Sequence, residues 1–299
     1  MNNNLRMTTF FAERTRLNVH CLVAKTTAAF VRILPFRVQI IELIGLVRGT
    51  MLMLFEIGQW GRIARFVRAS GSTVSGWAFI LRHYIRRGDD CTWTNLYYEM
   101  PAVLGKHIDV ERCETLEQAL RDGKGAVLLG VHGGPSICSH LLLEMNVNIK
   151  CLVAEGTFRL WERATRYVIR PILSKRIAFL SDPRRNIIAG KSEREIVRHM
   201  KDGGAIFMMI DSPSVFAKEK VEGAHVHAMG MTFQPHYFPF RLSLRYGSPV
   251  YFCFFQKVPR GYRLRFAHCG AFSTPHEGFL NYLSFLQGQV TAQFLHIAS

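Results

Sequence analysis

The chain has 299 residues, 48% of them hydrophobic and 20% charged, enough to bury a full core without disulfides or structural metals. Its 38 Lys+Arg against 22 Asp+Glu give a formal charge of +16, and residues 1–88 alone hold 13 basic and 3 acidic side chains. Its composition is that of a folded protein, so a disordered chain or a disulfide-stapled miniprotein is excluded. The charge leaves anionic partners open: nucleic acid or a membrane surface.

The N-terminal segment, Met1 to Arg6, lacks the charged, apolar, small-residue plan of a secretory signal, so export is not expected. Residues 1–88 read as a helical, membrane-facing region, and residues 89–299 as an α/β domain. The stretch from Val38 to Trp60 is greasy but interrupted by Glu42, Arg48 and Glu56, which suits an interfacial or docking helix better than a clean span. Arg62, Arg65 and Arg68 share a helical face, and Arg82, Arg86 and Arg87 follow among Trp60, Phe66, Trp77, Phe79 and Tyr84. Basic and aromatic residues mixed in this way fit a headgroup layer. No helix-turn-helix, zinc-finger or RNA-recognition pattern is present, so nucleic acid is not an expected partner.

Arg87-Gly88-Asp89-Asp90 reads as a polar break before the second region. After it, the same order occurs twice: a helix, a glycine stop and a buried strand. Glu114–Leu120, Asp122-Gly123 and a strand over 126–131 end at His132. Glu193–Met200, Asp202-Gly203-Gly204 and a strand over 205–210 end at Asp211. Glycine after a helix supplies the left-handed conformation that closes it. Between them Lys150–Ala154 predicts a strand and Leu160–Lys175 a helix. Val250–Gln256 and Tyr262–His268 predict later strands joined by a turn at Lys257–Gly261. The fold class is therefore α/β, a mostly parallel central sheet flanked by helices.

His132 is followed by Gly133-Gly134-Pro135-Ser136, which predicts a bare backbone turn and a helix opening on Pro135. An imidazole there stands outside the carboxyl end of a strand, where α/β proteins assemble ligand sites. Parallel neighbouring strands would bring Asp211 to the same rim. In the expected chemistry His132 is a general base, Asp211 orients it, and N–H groups from Gly133 to Ser136 stabilise an oxyanion. Ser136 as a covalent nucleophile is less favoured than its use in satisfying backbone N–H groups.

The sequence has no Gly-x-Ser-x-Gly, Gly-x-x-x-x-Gly-Lys, Gly-x-Gly-x-x-Gly or His-Glu-x-x-His. His225, His227 and His236 lie close together, but no carboxylate or cysteine joins them at ligand spacing, so no metal is expected. Seven dispersed cysteines without a Cys-x-x-Cys pair read as reduced packing residues. The aromatic runs Phe233–Phe240 and Tyr251–Phe255 are candidates for lining an acyl groove, with Pro235 and Pro239 marking the first as a loop or edge.

Over roughly residues 110 to 268 the chain resembles the bacterial lipid A late acyltransferases, within the lysophospholipid acyltransferase superfamily. The resemblance rests on Gly123-Lys-Gly-Ala-Val-Leu-Leu-Gly-Val-His132-Gly-Gly134, Lys201-Asp-Gly-Gly-Ala-Ile-Phe-Met-Met-Ile-Asp211 and Gly247-Ser-Pro-Val250. It implies an enzyme on the cytoplasmic face of the inner membrane. Such an enzyme passes an acyl group from an acyl carrier protein or CoA thioester to a lipid A-like acceptor, with no bound cofactor. A peptidyl carrier protein is the corresponding donor partner for an aminoacyl group.

The family's motif carries a carboxylate five positions after the histidine. Here that position is Ile137, and Pro135 and Ser136 replace further motif residues. Two other readings therefore stand beside fatty acyl transfer: glycyl transfer to lipid A on the same scaffold, and a catalytically silent lipid-binding relative.

Overall fold

The computed structural model describes residues 3–58, 60–61, 64, 76–131, 134, 136–170, 173–190, 193–210, 226–228, 231–233 and 235–288. Three long helices come first: α1 (Asn3–Ile33), α2 (Arg37–Phe55) and α3 (Gly76–Glu99). After a single turn at Pro101–Leu104 the chain alternates. The order is β1 (Ile108–Val110), α4 (Glu114–Arg121), β2 (Ala126–Gly130), α5 (Cys138–Glu144), β3 (Ile149–Val153), α6 (Glu155–Tyr167), α7 (Lys175–Leu180), β4 (Asn186–Ile188), α8 (Glu193–Lys201) and β5 (Ala205–Met209). A small hairpin, β6 (Val226–Ala228) and β7 (Met231–Phe233), precedes α9 (Phe238–Tyr246), β8 (Val250–Val258), β9 (Gly261–His268) and α10 (Pro275–Gly288).

Seven strands form one sheet in the order β1-β9-β8-β2-β5-β3-β4. All neighbours are parallel except β8 and β9, a hairpin closed tightly at Val258↔Gly261. The central strands are buried on both faces, so their side chains divide between two cores. Leu128, Phe207, Tyr251 and Phe255 point into one, Val127, Leu129, Ile206 and Phe252 into the other. The α/β class and the mostly parallel sheet thus stand as the sequence predicts. Gly123 and Gly203, with φ of 70° and 75°, stop the two helices that precede β2 and β5.

The N-terminal helices belong to the same body as the sheet. Val31 of α1, Ile41 of α2 and Trp93, Leu96 and Tyr97 of α3 are buried in one core with Leu128 and Phe207. The polar break expected at Arg87–Asp90 is absent, because α3 runs through it without interruption. Gly88 is instead the point where α2 and α3 touch. A Cβ at that position would sit 2.2 Å from the Gly45 carbonyl oxygen, so only a bare backbone permits this approach. No boundary between an N-terminal region and the α/β domain therefore falls at residues 88 and 89.

Two further expectations change. The helix predicted over 160–175 is two helices, with Val168 already extended at ψ 134° and α7 starting only at Lys175. The gap between them contains Pro171, which has no backbone N–H to give to a continuous helix. Phe238–Phe240 open α9, with proline in its first turn, instead of lying in a loop or edge strand.

Of the basic residues expected to face headgroups, Arg62, Arg65 and Arg68 lie outside the described residues, as does Phe66. Arg82 is exposed. Arg87 is paired with Glu56, and Arg86 lies 3.0 Å from Asp90, so these two are engaged within the fold.

Candidate functional site

β2 and β5 are adjacent and parallel, with Gly130 opposite Met209. The next residues but one along each chain are His132 and Asp211, which lie outside the described residues together with Gly133 and Pro135. What is described is the rim that leads to them. A cavity of about 320 Å³ opens there, lined by Gly130, Val131 and Met209 from the two strand ends and by Ser136 from the segment that follows. Its inner wall is Phe207, Cys253 and Phe255, and its outer wall Leu152, Val153 and Trp161 from β3 and α6. This is the carboxyl-end crevice in which parallel α/β sheets bind ligands.

Gly134 has φ 135°, and a Cβ on it would meet the Phe255 Cβ at 2.5 Å. The turn therefore lies directly on an aromatic ring of the cavity wall, which is why glycine is needed there. Ser136 is exposed, and its backbone is tied to α3: its N–H donates to Thr94 Oγ1 at 2.9 Å, and its carbonyl accepts from the Tyr98 hydroxyl at 3.3 Å. That amide is already used, so the set of N–H groups open to an oxyanion is narrower than the sequence suggests. The helix expected to open on Pro135 begins at Cys138, with Ile137 at its N-cap and no side-chain cap. Ile137 is fully buried in the core with Cys138 and Leu141.

Among the described residues of the two aromatic runs, Cys253 and Phe255 are the ones that reach the cavity. Phe240, Tyr251, Phe252 and Phe254 are core residues. Three cysteines do line it: Cys138, Cys151 and Cys253. Burial pushes the Cys151 thiol up to about 11 and the Cys253 thiol well above its usual range, so both are protonated and poor nucleophiles at neutral pH. No disulfide joins any of the seven cysteines. Among the described residues no group of three His, Cys, Asp or Glu side chains is placed to hold a metal; His225 lies outside them.

Two features of this region escape sequence reasoning. His140 and Glu144, one helical turn apart on α5, are 3.3 Å from each other. The ring is enclosed by Tyr97, Tyr98 and Phe179, and burial depresses its pKa. His140 is not among the residues that line the cavity. The i, i+4 His–Glu spacing was the available signal. The second is Arg176, on the cavity wall. It lies in a basic stretch with nothing local to single it out.

No family model matches the chain, and no curated protein matches it.

Proposed function

We propose that the protein is a membrane-associated acyltransferase, carrying an acyl group from a carrier-protein or CoA thioester to a hydroxyl or amine of a lipid A-like acceptor. One observation carries this reading: the strands leading to His132 and Asp211 are parallel neighbours, and the cavity opens at their carboxyl ends. In the proposed reaction the His132 imidazole takes the proton of the acceptor group, whose oxygen or nitrogen attacks the thioester carbonyl. Charge passes to the carbonyl oxygen, met by N–H groups of Gly133 and Gly134. As the carbonyl re-forms, the C–S bond breaks and the imidazolium returns its proton to the thiolate. Asp211 is the proposed orienting acid in place of the one absent at Ile137. Ser136 borders the bound substrate.

Membrane association is supported by the exposed apolar stripes of the first two helices. Val19, Leu22, Val23 and Phe30 lie along α1, and Leu43, Val47, Met51, Leu54 and Phe55 along α2. The α2 segment, Arg37–Phe55, is long and apolar enough to cross a membrane, but its inner face packs on α3 through Gly45 and Gly49. That arrangement supports lying on a membrane surface with one side of the helix in lipid, and the surface proposed is the cytoplasmic face of the inner membrane.

A second reading, the silent lipid-binding relative, draws on the full burial of Ile137. The test is His132→Ala, assayed by mass spectrometry of the product lipid. Loss of product by about 10²- to 10⁴-fold is expected. Unchanged product removes the assignment of this site, and an added glycyl mass selects the aminoacyl version of the reaction.

A further inference from the structure

The cavity holds one full positive charge that nothing described neutralises. Arg176, on α7, donates from Nη1 to the Asn95 amide oxygen at 2.9 Å, and its Nε is buried without an acceptor. No acidic side chain faces it among the described residues. Burial in the protein is the main influence on this guanidinium, depressing its pKa; Tyr98 and Cys91 act against that, and Arg48, of the same sign, adds to it. Elsewhere the partly buried cations meet acids: Arg86 with Asp90, Lys257 with Asp89, Lys150 with Glu195. A buried guanidinium without a counter-ion is costly, and a carboxylate or phosphate is its natural partner, taken up by two N–H groups of one edge.

We infer that the cavity takes the acidic group of an amphiphilic ligand, an oxyanion on an apolar body, with Arg176 as its counter-ion. Asn95 holds Nη1 and so fixes the plane of the guanidinium, leaving the Nε and Nη2 edge as the one without partners. Leu152, Phe207 and Phe255 offer the apolar body its surface, and Ser139 and Thr157 are also in the lining. In a transferase of the kind proposed above, this names the substrate class: a substrate with an ionised carboxylate or phosphate close to the group that reacts. That consequence rests on the proposed function, whereas the binding itself does not.

The experiment is titration calorimetry of the full chain with octanoate, octyl phosphate and octanol, three probes with the same tail. At least one of the two anions is expected to bind about tenfold or more tighter than octanol. Octanoate alone identifies a carboxylate ligand and octyl phosphate alone a phosphate. Arg176→Met is expected to bring that anion down to the affinity of octanol, while Arg176→Lys retains part of the preference. A native thermal transition in each variant, measured without ligand, verifies folding. The probes are titrated into the protein with His132 intact, so a failed transfer assay leaves this result standing. Equal binding of anion and alcohol, or an anion preference that survives Arg176→Met, overturns the proposal; the latter places the anions elsewhere, such as along the basic N-terminal helices.

Discussion

Two places in this molecule draw cations out of water, and they do it in opposite ways. Where α3 meets β8 and β9, every cation faces an acid, although Arg86 Nε and Nη2 and Asp89 Oδ1 are buried without a well-formed hydrogen bond. Asp89 Oδ2 accepts from Lys257 Nζ at 2.8 Å and from the Tyr262 hydroxyl at 2.6 Å, while Asp90 Oδ1 lies 2.7 Å from the same hydroxyl and 3.0 Å from Arg86 Nε. The Arg86 guanidinium and Lys257 ammonium both lie 4.7 Å from the Tyr262 ring centre. At the carboxyl ends of β2, β5 and β3, by contrast, Arg176 meets, among the described residues, an amide oxygen and a mostly apolar wall. The first arrangement closes on itself and fastens a helix to the sheet. The second is incomplete until something else enters, which distinguishes a structural ionic cluster from a binding site more sharply than residue types do.

The sharpest way to break the contrast is to open the closed cluster. Asp89→Ala leaves Lys257 with Glu42 at 3.3 Å as its remaining acid and removes one of the two carboxylates that meet the Tyr262 hydroxyl. Removing one partner of a buried pair costs about 3–5 kcal/mol. Urea unfolding should show a loss of that size, with the docking of α3 weakened first. A loss below about 1 kcal/mol would mean that the cluster is ornamental and would dissolve the comparison.

The same cluster sets a pH dependence. Burial raises the Asp90 carboxyl from 3.8 to about 6, against the opposing pull of Arg86 and Tyr262. The folded protein therefore holds this proton more tightly than the unfolded chain does. The Asp90 contribution to stability is most favourable below about pH 4, declines as pH rises, and has levelled off above about pH 6. A shift of this size corresponds to roughly 2–3 kcal/mol. Comparing unfolding free energies of the parent and Asp90→Asn between pH 4 and 7 isolates it. The difference between the two curves should change across that window, and a difference that stays flat contradicts the assignment.

The architecture around these two places was legible in unequal measure. Strands β2 and β5 announce themselves as unbroken apolar runs after glycine-stopped helices, and the β8–β9 turn is written in Pro259-Arg260-Gly261. The cavity's position follows from their being neighbours. The continuity of α3 was hidden, because Arg87-Gly88-Asp89-Asp90 has the composition of a turn. Its glycine serves a helix contact with Gly45, and its acids are satisfied by Lys257 and Tyr262, about 170 residues away, which no local pattern encodes. Ile137 was legible as an apolar residue beside the His132 turn but not as a core residue. Arg176 was invisible for a related reason: what marks it is the lack of a neighbouring acid among the described residues, and a sequence lists only which acids are near in the chain.

The smallest expected effect is the most discriminating. If Arg176 is held for a ligand, the unliganded fold gains little from its charge, and Arg176→Met replaces a costly buried cation with an apolar chain of similar reach. Only the bond to Asn95 is lost, a contribution of about 1 kcal/mol or less after the relief of burying the charge. Stability measured by urea unfolding without ligand is therefore expected to stay within about 1 kcal/mol of the parent, or to rise, while Asp89→Ala falls several times further. A loss for Arg176→Met comparable to that of Asp89→Ala would show that the guanidinium is compensated within the fold itself. The two cation sites would then be alike, and the cavity would have no demand for an acid.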